Sequence, residues 1–234
     1  ADGTEHVKQL LPPSVMEMRY DADTLVAEMD YAGVDMAMLH RTTYLGTGID
    51  FVADCVSRYP GRLQGLAFIE PWLVQSEPDE SIARLHKAIN QQGLSALQFL
   101  PMFLDAYDQK EDWDAPGFKP FWDAVDDMDI PVFFTLATRQ GATVEDYLRE
   151  MKVLRRWMEL YPDVVVVFTH GFNWRMFRDQ DTMNIPEVLF EVAPIESPNF
   201  FFQLVVSVTL GAKWPYPMPQ FEKAMEMLGE CIGA

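Results

Sequence analysis

The chain has 234 residues, enough for one large domain or two small ones. With 49% apolar and 23% charged residues it can bury a core and does not have the composition of a disordered chain. There are 36 acidic and 18 basic side chains, a net charge of −18, which argues against a nucleic-acid or anionic-membrane partner because phosphate binding needs a basic patch. No apolar run approaches the ~20 residues of a membrane span, and the opening Ala1-Asp2-Gly3-Thr4-Glu5-His6 has no signal-peptide pattern. A cytoplasmic location is therefore expected. The two cysteines, Cys55 and Cys231, lie far apart without metal-ligand spacing and are expected to be buried free thiols.

Residues 1–20 contain Pro12-Pro13 and no sustained period, so they read as loop. Ala22, Leu25, Val26 and Met29 make a helical stripe, with Asp21 or Asp23 to cap its start and Gly33 to end it. Val34–Leu39 reads as a strand ending at His40-Arg41. A second helix runs over Phe51–Tyr59 to Pro60-Gly61, then a strand Leu63–Ile69 ends at Glu70-Pro71-Trp72. Ile82, Leu85, His86 and Ile89 mark a third helix, with Gly93 as its stop, and Leu94–Phe99 the next strand. Residues 101–117 break the rhythm and read as a long acidic, aromatic-bearing loop. A helix around Phe121–Met128 and a strand Ile130–Leu136 follow. Thr143 with Asp146 three residues on resembles a capping box opening a helix that lasts to Tyr161-Pro162. Val164–Phe168, four valines and a phenylalanine, reads as a strand buried on both faces and ends in Thr169-His170-Gly171. A helix begun by Pro186, a strand Phe200–Val206, a proline-rich loop 207–219 and a helix Phe221–Cys231 complete the chain.

This is βα repeated six times, with strand ends expected at His40, Glu70, Gln98, Thr135, His170 and Gln203. Strands alternating with helices mean a parallel sheet, either a barrel or a doubly wound open sheet. No Gly-x-Gly-x-x-Gly follows any strand, so a dinucleotide site is not indicated. Polar residues closing almost every strand favour a TIM-type barrel, whose chemistry sits at the C-terminal ends of its strands.

His170 is the first candidate for that chemistry. Its ordinary pKa of about 6.5 suits proton transfer, or its neutral ring could bind a metal. Arg41 beside His40 could clamp a carboxylate with two parallel hydrogen bonds, and Glu70 could act as a base, orient a histidine, or serve a structural hydrogen-bonding role. Gln98, Thr135, Arg139 and Gln203 are candidates by position. Trp72, Trp113 and Trp214 fall on the same side and could wall an aromatic site. No His-x-His, His-x-x-x-His or Cys-x-x-Cys occurs, so no metal site can be assembled from spacing alone.

Several short stretches together resemble the amidohydrolase-related family that includes the aminocarboxymuconate-semialdehyde and γ-resorcylate decarboxylases. They are Tyr31-Ala32-Gly33-Val34-Asp35, Arg58-Tyr59-Pro60-Gly61-Arg62-Leu63, Phe121-Trp122-Asp123 with Ile130-Pro131-Val132, and Tyr161-Pro162-Asp163 leading to Thr169-His170-Gly171. The resemblance covers residues 20 to 234. It implies a (β/α)8 barrel with one divalent metal, usually zinc, and makes His170 the catalytic histidine beside it. Three departures stand out. An Asp-x-His-x-His first strand and a Gly-Thr/Ser-Asp-x-Pro last strand are missing, so the single domain, 1–234, is expected to lack the barrel's first and last strands, and to be a segment of a longer protein or to have the gap covered by a partner. Thr135 also stands where the fifth strand's histidine ligand is usual.

The resemblance implies either hydrolysis of a lactone or related bond, or non-oxidative decarboxylation of an unsaturated or aromatic acid. In either case the partner is a small carboxylic acid or lactone, and a homo-oligomer is expected. The alternative is a barrel without catalysis, serving as a binding or oligomerisation module.

Overall fold

The structure, a computed structural model, describes residues 21–40, 47–107, 111–136, 143–173, 176–177, 185–203 and 219–232. Helix α1 (Ala22–Ala32) starts where Asp21 accepts a hydrogen bond from the Thr24 amide at 2.9 Å and stops at Gly33, whose φ of 70° turns the chain left-handed. The same alternation then continues as β1 (Ala37–Leu39), α2 (Ile49–Arg58), β2 (Leu63–Phe68), the short α3 (Pro71–Val74), α4 (Pro78–Asn90), β3 (Ala96–Phe99), the short α5 (Met102–Ala106), α6 (Lys119–Asp127), β4 (Val132–Phe134), α7 (Val144–Leu160), β5 (Val166–Phe168), α8 (Glu187–Val192), β6 (Phe200–Phe202) and α9 (Pro219–Ile232).

All six strands are parallel and lie in the order β1-β2-β3-β4-β5-β6. A doubly wound sheet reverses strand order at a switch point; here no reversal occurs. Right-handed crossovers that always step the same way put every helix on one face, so the sheet must curl away from them. One contact measures the curl. Three inter-strand steps separate β1 from β4, about 14 Å in a flat sheet, yet the His40 ring after β1 meets the Phe133 ring of β4 edge-on at 5.4 Å. The described residues are thus part of a TIM-type barrel.

Alternation of side chains along each strand divides the core in two. Ala67, Ile69, Leu97, Phe99, Val132, Phe134, Val166 and Phe168 face outward and pack with Leu85, Ala88, Phe121, Trp122, Val125, Tyr147, Met151, Leu154 and Trp157 of the helices. Leu66, Ala96 and Phe133, with Met38 and Val167 against them, form a separate cluster on the inner face. Gly65 points outward, where an added Cβ would lie 2.4 Å from Val52 and 2.9 Å from Leu94. Only glycine lets α2 lie this close to β2. The strand expected to be buried on both faces is asymmetric: Val166 and Phe168 are fully buried outward, whereas Val167 is half-buried on the inner face and Phe201 beside it is 53% exposed. The inner face is less covered because helices pack only on the outer one.

The capping box is present: Thr143 Oγ1 accepts from the Asp146 amide at 3.2 Å and Asp146 Oδ2 accepts from the Thr143 amide at 2.9 Å. Replacing Thr143 with Ala is expected to cost about 1 kcal/mol of stability, read as a fall in the urea midpoint with an unchanged slope. The two Tyr-Pro helix ends also prove to be one device used twice. Tyr59 (φ −129°, ψ 60°) and Tyr161 (φ −128°, ψ 66°) end α2 and α7 with the same backbone. Each hydroxyl donates to a carboxylate on a preceding helix, Tyr59 to Asp23 at 2.5 Å and Tyr161 to Asp123 at 3.0 Å.

The 101–117 stretch, expected as a loop, contains α5 and a 3₁₀ turn, Pro116–Phe118. Trp113 is not a site wall but core, 1% exposed among Phe99, Trp122, Phe134 and Trp157. Its flanks explain this: Asp112 and Asp114 pair with Arg156, and Asp112 with Arg149, pinning residues 112–114 onto α7. Cys55 is a buried free thiol as expected, whereas the Cys231 side chain lies outside the described residues.

Candidate active site

The register places a band of mostly polar residues at the C-terminal ends of the strands. Phe99, Phe134, Phe168 and Phe202 are paired across β3 to β6. The next residues, Leu100, Thr135, Thr169 and Gln203, form the level above and alternate inward. One step below, Phe68, Gln98, Phe133, Val167 and Phe201 are paired along one inner row. The inner face therefore offers a largely apolar floor with Gln98, 4% exposed, set into it.

His170 stands exposed at the end of β5 with φ 65°, and Gly171 follows with φ 65°. A left-handed conformation at a residue bearing a Cβ costs about 1–3 kcal/mol and persists only where its surroundings over-determine it. Those surroundings come from both neighbouring strands. On the β4 side the Thr169 amide and hydroxyl both donate to the Phe134 carbonyl, at 2.9 and 2.6 Å. On the β6 side the Gln203 amide donates to the Phe168 carbonyl at 3.0 Å, and the His170 amide donates to Gln203 Oε1 at 3.4 Å. Asp129 (φ 51°) is the other described non-glycine residue with positive φ, and it lies in the turn before β4, away from the strand ends.

Thr135 and Thr169 lie oxygen to oxygen at 2.6 Å. Because the Thr169 proton is committed to the Phe134 carbonyl, which can only accept, Thr135 must donate to Thr169. Thr135 therefore faces the interior with lone pairs and no proton to give. His40 turns inward onto Phe133. Loss of solvation, and secondarily the charge of His170, hold its pKa below the ordinary 6.5. The folded ring binds fewer protons than the unfolded one between that lowered value and 6.5. His40's contribution to stability is therefore full above pH 6.5 and lost as the pH falls through this window. An NMR titration should place the His40 midpoint below 6.5; a midpoint at or above 6.5 would show a ring as hydrated as in the unfolded chain.

Glu70 is held by an arginine. Its Oε2 lies 2.5 Å from Arg84 Nη2 of α4, an ion pair with both side chains under one third exposed. That ties its carboxylate to a helix. Trp72 on α3 stacks on Tyr107 (4.1 Å, 13°) and meets Phe103 edge-on at 6.0 Å, an aromatic group built from the loops after β2 and β3. Arg41, Arg139 and Trp214 lie outside the described residues. The structure thus brings His40, Gln98 and Thr135 to the inner face, with His170 and Gln203 at the strand ends beside it. It adds Thr169 and Phe133, which strand alternation alone could have flagged. Among the described residues no three His, Cys, Asp or Glu side chains gather to hold a metal ion. With threonine in the usual ligand position, these residues do not fit the zinc site that the resemblance implies.

No protein-family model matches the sequence, and no curated protein matches it. Solved structures do share its fold. A TIM-barrel protein of uncharacterised role from Bordetella bronchiseptica superposes with a TM-score of 0.56 at 18% identity, over 77% of this chain and 58% of that one. A 5-carboxyvanillate decarboxylase from Novosphingobium aromaticivorans, solved with manganese and 4-hydroxy-3-methoxy-5-nitrobenzoic acid, gives 0.57 at 18% identity over 89% of this chain and 66% of that one. A probable 2-pyrone-4,6-dicarboxylic acid hydrolase from Acinetobacter baumannii, solved with citric acid, gives 0.51 at 13% identity over 92% and 82%. The chain thus spans less than two thirds of the first two. At these identities the likeness establishes the barrel-type fold.

Proposed function

We propose that this chain belongs to a barrel enzyme related to the amidohydrolases, which decarboxylates a small aromatic or unsaturated acid with His170 handling the proton. The observation that carries the reading is the strained, doubly braced turn that presents His170 beside the inner face at a strand's C-terminal end, where barrels of this type place catalytic groups. The resemblance of the surrounding motifs and the shared fold with an aromatic-acid decarboxylase support it.

In this reading the substrate ring lies on the Phe133 and Val167 floor, and Gln98 and the Thr135 lone pairs contact its polar substituents. His170 as imidazolium gives its proton to the ring carbon that bears the carboxylate. The C–C bond then breaks, CO2 leaves, and the bonding pair restores the ring. An apolar floor favours exchanging a carboxylate for neutral CO2, because burying charge is costly. His170 regains a proton from solvent. Manganese in the decarboxylase neighbour supports a divalent ion in general rather than zinc; its ligands would come at least partly from residues beyond those described.

A second reading, hydrolysis of a lactone, is favoured by Thr135 in place of histidine and by the fold shared with the probable pyrone hydrolase over most of both chains. There neutral His170 would take a proton from the attacking water. Incubation with 5-carboxyvanillate and, separately, with 2-pyrone-4,6-dicarboxylate distinguishes the two. CO2 release supports the first reading and ring opening without CO2 the second. No turnover of these or of a wider panel of aromatic acids and lactones would favour a binding or oligomer-forming module.

A further inference from the structure

Phe202 at the end of β6 and Gln203 just after it have no part in the chemistry just described, yet they pack closely against the turn that carries His170. A Cβ on Gly171 would lie 2.7 and 2.8 Å from two Phe202 ring atoms and 3.2 Å from the Gln203 carbonyl oxygen. The ring therefore fills the space under the left-handed Gly171 so that no side chain fits there. Gln203 holds the preceding residues twice, its backbone amide on the Phe168 carbonyl and its side-chain oxygen on the His170 amide. One residue thus brackets Thr169 from the β6 side, opposite the grip of Phe134 and Thr135 from β4.

We infer that Gln203, seated by Phe202, is a positioning residue that holds the His170 peptide in its left-handed turn, rather than a group that binds substrate. Its side-chain oxygen is used on the protein's own backbone. That oxygen, which must accept from the His170 amide to keep the turn, cannot turn to a ligand without releasing it. The effect on any reaction is indirect: loosening the seat lets His170 leave its place at the strand end while the inner face that receives the substrate stays intact. The inference rests on the reading of His170 as the proton-handling group for its kinetic consequence, but the conformational claim stands independently.

The test uses the full chain with Q203L, which removes the acceptor at similar size, and Q203E, which keeps an oxygen in the same place. Amide hydrogen exchange is read at His170 and Gly171 by NMR, and steady-state kinetics on whichever of the two probe substrates, 5-carboxyvanillate or 2-pyrone-4,6-dicarboxylate, the enzyme turns over. Q203L should speed exchange at the His170 amide at least about tenfold and lower kcat by a similar factor with KM within about twofold of wild type. Q203E should restore slow exchange and most of kcat. Unchanged exchange at His170 in Q203L, or a raised KM with kcat intact, would overturn the inference, the latter marking Gln203 as a substrate ligand. Faster exchange in Q203L together with full activity of an H170A variant would leave the positioning role standing and refute the catalytic role of His170, so the two failures are told apart.

Discussion

Replacing His170 with Ala or Asn is expected to lower turnover of a genuine substrate by at least about a hundredfold, since a positioned proton-transfer group contributes about 10² to 10⁴ in rate. The Asn variant is the sharper of the two. Asn tolerates the left-handed region better than most residues, so H170N keeps the turn at φ 65° while removing the titrating ring. His170 is exposed and its braces act through the backbone, so circular dichroism and the thermal midpoint should stay near wild type. Activity unchanged in both variants would remove His170 from the mechanism; loss of activity only in H170A would show that the turn matters and the ring does not.

The second large effect is on stability. Replacing Phe134 with Ala should destabilise the fold by about 3–5 kcal/mol, the usual cost of emptying a buried phenylalanine site. Phe134 is fully buried on the outer face of β4, with ring centroids at 4.9 Å from Trp113, 5.0 Å from Trp157, 5.8 Å from Phe99 and 6.1 Å from Trp122. These rings come from β3, the 112–114 segment, α6 and α7, so one deletion loosens four elements at once. Large rigid rings cannot collapse into the gap as aliphatic chains partly can, which places the cost at the upper end. Against a total of about 5–15 kcal/mol this is a large share of the margin. Urea unfolding followed by tryptophan emission measures it directly, because Trp113, Trp122 and Trp157 line the cavity. A shift of the midpoint worth under 1 kcal/mol would mean that this cluster is not the centre of the core.

Much of the architecture is legible before any coordinates. The helix stripes, the Thr143–Asp146 box, the Gly33 stop and the paired Tyr-Pro ends are local signals, decided within a turn or two of backbone, and each forms as the sequence indicates. Strand positions are right but long by a few residues: Val34–Leu39 shortens to Ala37–Leu39 and Ile130–Leu136 to Val132–Phe134. Around β4 the apolar run extends past the ladder because Ile130 and Leu136 are buried beyond it, whereas before β1 Val34 and Met36 are exposed and belong to the turn after α1. The segment 101–117 misled for a similar reason. Its acidic residues suggested solvent, but Asp112 and Asp114 are anchors for arginines that no spacing rule connects to them, 37 to 44 residues along the chain.

The sequence by itself determined that strands and helices alternate six times, that polar residues close the strands and that His170 ends the fifth. Those are consequences of period, propensity and order along the chain. Whether the sheet is open or curled was decided only by tertiary structure, through strand order and the contact of His40 with Phe133 across two intervening strands. The same holds for Glu70, which alternation aims inward but Arg84 draws to a helix, and for Thr135, whose proton is spent on Thr169. His170 shows the division within one residue. Its identity and place are written in the chain, but the left-handed turn that presents it exists because β4 holds Thr169 while residues 202 and 203 hold Phe168, His170 and Gly171 from the other side, and pairings across ~35 residues leave no local trace.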